Sequence, residues 1–314
     1  MSNLYINTHA RPTFETRVAP SSLLARGSRD SSQFASLLWF RPRYQTRPEE
    51  RVDARRWTGS PTAHDRWGRL LVNLTAQTWV DVEEPDVDVC LLPVGSVEQH
   101  GPHAPLGTDV FVADAIAEAA AGRVEAWKLP PVHIGVAPYH RHFPGTLHLP
   151  PEVLREYVFH LLKCIDAWGV ETVLIINGHG GNRDALKHVC RRLSDETGLD
   201  AQYWEWMKAV EADVQHAGAV ETSVLQHLVP ELLGTPQPGD AESWGEWVHG
   251  AQTAMYTDEF SENGVVGDPT AATAEAGQDV FETAVGELQE LIAWLGDRNA
   301  PENGRRRDGD HGTR

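Results

Sequence analysis

A carboxylate and an imidazole two residues apart, Glu98 and His100, stand in the run GSVEQHGPHAPLGTD at residues 95–109, and a second carboxylate, Asp109, closes it. In extended chain, residues i and i+2 point to the same side. Glu98 and His100 would therefore converge, and their oxygen and nitrogen donors suit Zn2+ or Mn2+. Gly101, Pro102, Pro105 and Gly107 turn the chain before Asp109. At the start of the next helix, Asp109 offers an oxygen that could bridge two ions. The same run also reads as a polar strand-to-helix loop with a capping Asp. A lone Glu-x-His does not decide between the two.

Two further runs carry candidate chemistry. NGHGGN at 177–182 directly follows the apolar TVLII. That places His179 at the carboxyl end of a strand, where open parallel sheets put their sites. Gly178, Gly180 and Gly181 permit close approach of a ligand. A phosphate-binding turn made of backbone N–H groups is the competing reading, although no Gly-Lys-Ser/Thr follows to make a P-loop. In HAGAVETS at 216–223, His216 is a candidate proton shuttle, since an unperturbed imidazole titrates near neutrality. Glu221 falls in a first helical turn, where the macrodipole alone would favour it. Trp204 and Trp206 could form an apolar pocket wall, although an aromatic pair in a strand is more often core. The loop HFPGT at 142–146 could line a cleft. His140, His142 and His148 read as surface loop histidines and stay outside the ligand set.

These runs need elements to position them. The apolar, β-branched stretch 87–94 reads as a buried strand, and further strands are expected at 132–136, 172–176 and 201–206. Helices are expected at 110–121, from Pro151 to a stop at Gly169, at 183–197, 220–228 and 270–295. Strands alternating with helices predict an α/β fold, a mainly parallel sheet with helices on both faces.

Composition limits the rest. The chain has 314 residues and a formal net charge of −18, unevenly spread. Residues 1–67 hold 11 Arg against 6 acidic residues and show no helical or strand period. They are expected to be a disordered Arg-rich extension. The domain would span 68–297, with a polar tail at 298–314. The remaining surplus of carboxylates disfavours nucleic acid and anionic membranes, and fits a protein kept soluble in high salt. No apolar run is long enough to span a bilayer, and three scattered cysteines suit a reducing cytoplasm.

In the order EQHGPHAPLGTD, HFPGT, NGHGGN, HAGAVETS, GVVGDPTAAT, the chain resembles the creatininase (creatinine amidohydrolase) family from about residue 87 to 295. The resemblance implies a three-layer α/β/α sandwich, two divalent ions (Zn2+, Mn2+ or Fe2+) and a homo-oligomer, often a hexamer. It implies that Glu98 and His100 bind different ions, that Asp109 bridges them, and that His179 is a further ligand. His216 would be catalytic, and Trp204 would close over a small amide or short peptide substrate beside Gly180 and Gly181. Asn177 and Asn182 would fix the turn. The ions would lower the pKa of a water from about 15.7 to near 7, and His216 would pass a proton to the leaving nitrogen.

One departure stands out. Creatininases resemble NGHYEN at 177–182, with a carboxylate ligand where this chain has Gly181. Glu221 is the candidate replacement, as ligand and catalytic residue. The NGHGGN form is closer to the branch that trims the mycofactocin precursor peptide. A formamidopyrimidine-deformylating branch and a catalytically silent metal-binding member are the alternatives.

Overall fold

The computed structural model describes residues 72–299, apart from 84–86, 88 and 125. The expectations for 1–67 and for the tail from residue 300 lie outside the described residues. Residues 298 and 299, expected in the tail, are the last of a helix.

Four parallel strands form the sheet: β1 (Val89–Val94), β2 (Ala126–Lys128), β3 (Thr172–Asn177) and β4 (Asp200–Glu205), in the order β2-β1-β3-β4. β1 and β3 are buried along their whole length. Burial on both faces explains why they read as continuous apolar runs rather than alternating ones. Successive side chains nonetheless divide by parity. Cys90, Leu92, Val94, Val173 and Ile175 enter one core, and Val89, Leu91, Leu174 and Ile176 the other.

The first core is closed by α2 (Pro151–Asp166) and α3 (Arg183–Glu196). Pro151 starts α2 where a missing N–H costs nothing. Leu154, Val158, Phe159, Leu162 and Ile165 then form its buried stripe. Full burial of each such side chain contributes about 1.5–3 kcal/mol. The second core is closed by α1 (Thr108–Ala121), α4 (Ala219–Leu228) and α5 (Ala274–Asn299). α4 and α5 pack very closely: a Cβ at Gly277 would overlap the Ser223 carbonyl oxygen.

Two expected elements moved. The second strand is Ala126–Lys128, not 132–136. Pro130 and Pro131 carry no N–H to continue a ladder, so beyond them only a single bridge joins Val132 to Val94. The last helix begins at Ala274 rather than at 270. A short turn, Pro269–Ala271, precedes it, with the Asp268 side chain accepting the Thr270 N–H at 2.9 Å.

After β1 the chain lays β2 on one side, then crosses to lay β3 on the other. The connections diverge between β1 and β3, and that switch point at the carboxyl ends is where open α/β sheets form their crevice. A two-stranded hairpin, β5 (Trp247–Val248) and β6 (Ala251–Gln252), lies in the segment before α5. His249 and Gly250 turn it with positive φ of 51° and 86°, as a two-residue hairpin with right-handed strand twist requires.

Candidate metal centre

Val94, Asn177 and Glu205 are the final residues of β1, β3 and β4 and pair in register. The loops that leave them therefore start from one edge. Asn177 and Asn182 fix the geometry. Asn177 Nδ2 donates to the His179 carbonyl (2.7 Å) and to Tyr203 Oη (3.0 Å). Asn182 Nδ2 donates to the Gly95 carbonyl (3.0 Å), and its Oδ1 accepts the Val136 N–H (2.8 Å). The NGHGGN turn is thus tied to the loop after β1 and to the chain approaching Tyr139.

Glu98, His100, Asp109, His179, His216 and Glu221 are all buried and meet at this edge. His179 Nδ1 lies 3.2 Å from Glu98 Oε2 and 3.2 Å from Asp109 Oδ2. His100 Nε2 lies 3.2 Å from Asp109 Oδ1 and 3.8 Å from Glu221 Oε2. Asp109 turns one oxygen to each group, the geometry of a bridge.

The rings are oriented by their second nitrogens. His179 Nε2 is 3.0 Å from the Val136 carbonyl oxygen and 3.1 Å from Tyr139 Oη. His100 Nδ1 is 3.2 Å from the Glu98 carbonyl oxygen. In the neutral rings that a bound cation requires, an N–H donated to each carbonyl would leave His179 Nδ1 and His100 Nε2 with lone pairs aimed inward. This is how ligating imidazoles are held.

Both Glu98 carboxylate oxygens, His100 Nε2, Asp109 Oδ2 and His140 Nε2 are buried without a hydrogen-bond partner. Buried polar atoms are rarely left so, and buried charges are paired or coordinate metals. Orphaned oxygen and imidazole donors converging on one space fit divalent ions such as Zn2+ or Mn2+.

The electrostatics are equally poised. Burial works to raise the Glu98 carboxyl, but the neighbouring His179 and His140 hold it well below the usual range. Burial opposes charge on His100, yet Asp109, Glu221 and Glu98 push it up to about 9. His179 is likewise raised, against its burial, chiefly by Glu98. Burial, only partly offset by His100, pushes Glu221 up to about 7. His216 moves the other way: burial, then His140 and His100, hold it well below its ordinary value.

A cavity of about 420 Å³ opens over the cluster, with Gly180 and Gly181 in its lining. Trp204 does not line it. That ring is half-buried on β4 and packs against the second core. The tryptophan at the cavity is Trp244, 43% exposed, from the loop before β5. His140 also departs from its reading as a surface histidine. It is fully buried, its Nε2 is 3.3 Å from Glu98 Oε1, and it stacks on His216 at 4.3 Å. His142 and His148 are exposed, as expected. Nothing periodic marks His140 or Trp244. Their only signals were a histidine just ahead of HFPGT and a tryptophan in an otherwise polar segment.

Gly181 has a structural cause. A Cβ there would lie 2.0 Å from Tyr139 Oη, 2.2 Å from the Val136 carbonyl oxygen and 2.5 Å from His179 Nε2. Tyr139 fills the space a larger residue would need. Gly181→Ala should cost about 1–3 kcal/mol as an overpacking change, read as a lowered unfolding midpoint. An unchanged midpoint would show that Tyr139 and the 136–139 chain yield freely.

The chain is similar to known proteins over most of its described length. The family model described as creatinine amidohydrolase matches residues 75–292. The mycofactocin precursor peptide peptidase of Mycolicibacterium smegmatis is 37% identical over 223 residues, covering 68% of this chain and 88% of its own. The peptidase of the same description from Mycobacterium ulcerans is 36% identical over 214 residues, covering 65% and 84%. A Bacteroides fragilis structure solved as a candidate creatinine amidohydrolase aligns with a TM-score of 0.66 at 28% identity, over 74% of this chain and 98% of that one.

Proposed function

Because the chain belongs to the creatininase family, we propose that it is a two-metal amidohydrolase acting on a short peptide or small amide. Glu98, Asp109 and His179 would hold one ion, and His100, Asp109 and Glu221 the other. The observation that carries this reading is the set of buried, partnerless donors around Asp109. Divalent ions bound there supply a Lewis acid for the amide carbonyl and lower the pKa of the attacking water.

The chain's own residues do the rest. Asp109 fixes the spacing of the two groups, and Glu221 takes the place of the carboxylate missing at Gly181. The Ala217 N–H donates to Glu221 Oε2 at 2.7 Å and anchors it. Ala217 adopts a positive φ of 52° to do so. Such strain is kept where the surroundings demand it. His216 Nε2 lies 2.8 Å from the Gln99 carbonyl oxygen. The same nitrogen lies 2.8 Å from Gln99 Nε2, so Gln99 holds that edge of the ring and Nδ1 faces the cluster, 3.9 Å from Glu98 Oε1. Held neutral, it can accept a proton from the attacking water and deliver it to the departing nitrogen. Water adds to the carbonyl carbon, the C–N bond breaks, and a carboxylate and an amine result. Similarity to peptidases named for a peptide precursor supports a peptide amide.

The reading is tested by titrating chelated, metal-free protein with Mn2+ or Zn2+. Two ions per chain are expected for the wild type and one for Glu221→Gln; two ions in the variant would remove Glu221 from the ligand set. Binding should release protons and strengthen as pH rises. In the metal-free protein, charged His100 contributes stability that is present below 6.5 and lost as pH rises through about 9. The Glu221 contribution is present below 4.5 and lost through about 7. The metal-free unfolding temperature should therefore fall from pH 6.5 to 9, while the gain on adding metal grows. A flat gain across that window would contradict the ligand assignment.

The family resemblance also supports a homo-oligomer, often a hexamer, which light scattering would measure. Cys90, Cys164 and Cys190 are unpaired, in keeping with a cytoplasmic location. No helix among the described residues is long and apolar enough to cross a membrane.

A further inference from the structure

Among the described residues that line the cavity, Arg183 is the single Lys or Arg. It is the first residue of α3, four positions after His179. The wall it shares is largely apolar and aromatic, with Tyr139, Met207, Trp244, Met255 and Phe260. A cation set in such a wall does nothing for a neutral, apolar substrate.

The guanidinium is held along one edge. Glu205, buried at the end of β4, accepts from Arg183 Nε at 2.9 Å and also from Nη2. Tyr203 Oη donates to the same carboxylate at 2.5 Å and accepts from Asn177 at 3.0 Å. One edge of the Arg183 fork is therefore fixed by the network that also fixes the His179 turn. The Nη1 end has no partner among the described residues. The side chain is 40% exposed and belongs to the cavity lining. A planar fork held at one edge is pre-organised to take a carboxylate at the other.

We propose that Arg183 anchors a substrate carboxylate, so that the substrate is an N-acyl amino acid or a peptide cut close to its C-terminal end. This rests on the amidohydrolase reading for its chemistry but not for its binding test. A purely structural role, tying α3 to β4, predicts lost stability on substitution and no change in ligand preference.

The test compares binding of N-acetylphenylalanine and N-acetylphenylalanine amide to metal-loaded protein by calorimetry. Wild type should prefer the acid by about tenfold or more, since charged hydrogen bonds are worth 1.5–3 kcal/mol and 1.4 kcal/mol is tenfold. Because bound ions also attract carboxylates, the decisive comparison is Arg183→Gln at equal metal content, where the preference should fall to near parity. Arg183→Lys, which keeps a cation beside Glu205, guards against a misfolded Gln variant and should retain only part of the preference. The same preference in Arg183→Gln as in wild type, no preference in wild type, or no binding of either ligand at about 10 mM (a Kd weaker than roughly −2.7 kcal/mol) would overturn the proposal. Failure of metal-loaded wild type to hydrolyse N-acetyl-Ala-Phe, with the acid preference intact, would count against the hydrolase reading alone.

Discussion

Asp109→Asn is expected to empty both ion positions and to lower amide hydrolysis by about 10³-fold or more, beyond the 10–100-fold typical of residues that merely support ligands. The side chain stands between two groups, with Oδ1 3.2 Å from His100 Nε2 and Oδ2 3.2 Å from His179 Nδ1. An Asn keeps one oxygen and replaces the other with an NH2 group, which cannot ligate a cation. Either orientation leaves one group without its shared donor, and the loss of negative charge weakens the other. The fold should survive, because Asn is nearly isosteric. Metal analysis beside a melting curve checks this. Two ions retained in a folded variant would show that Asp109 is not the bridge.

His216→Gln should do something different: retain both ions and lose about 10²–10⁴ in kcat, the usual range for a positioned acid–base group. The ring lies against His100 and His140 at centroid distances of 4.4 and 4.3 Å. Its Nε2 is engaged by Gln99, so only Nδ1 is available for protons. Gln can keep a hydrogen bond to Gln99 but cannot carry a proton. KM should change little, because the ring moves a proton rather than holding substrate. A kcat within about threefold of wild type, roughly 0.7 kcal/mol, would remove His216 from the reaction.

Much of the sheet was legible because both-face burial writes itself into local sequence. TVLII and the run ending at Val94 read as buried strands and are the two central ones, and β3 ends at Asn177, two residues before His179. Proline chemistry decided the strand that moved: Pro130 and Pro131 break the ladder that 132–136 would have needed. His140 was missed because its burial is tertiary. It is covered by elements far away in sequence, with Thr257 Oγ1 and Gln99 Nε2 each 2.9 Å from its Nδ1. The exchange of Trp204 for Trp244 has the same origin. Strand parity puts Trp204 over the second core, and the return of the 240–256 segment brings Trp244 to the cavity instead. The choice of Gly at 181 became intelligible once Tyr139 was seen to occupy the adjacent space.

The central claim is that buried donors around Asp109 hold ions on which amide hydrolysis depends. Its most direct test is the rate of N-acetyl-Ala-Phe hydrolysis by the purified protein before chelation, after chelation and removal of the chelator, and after readdition of Mn2+ or Zn2+. The account predicts turnover that disappears with the metal and returns with about two ions per chain, as expected where metals generate the nucleophile. Turnover that persists undiminished in protein shown by metal analysis to be ion-free would contradict it.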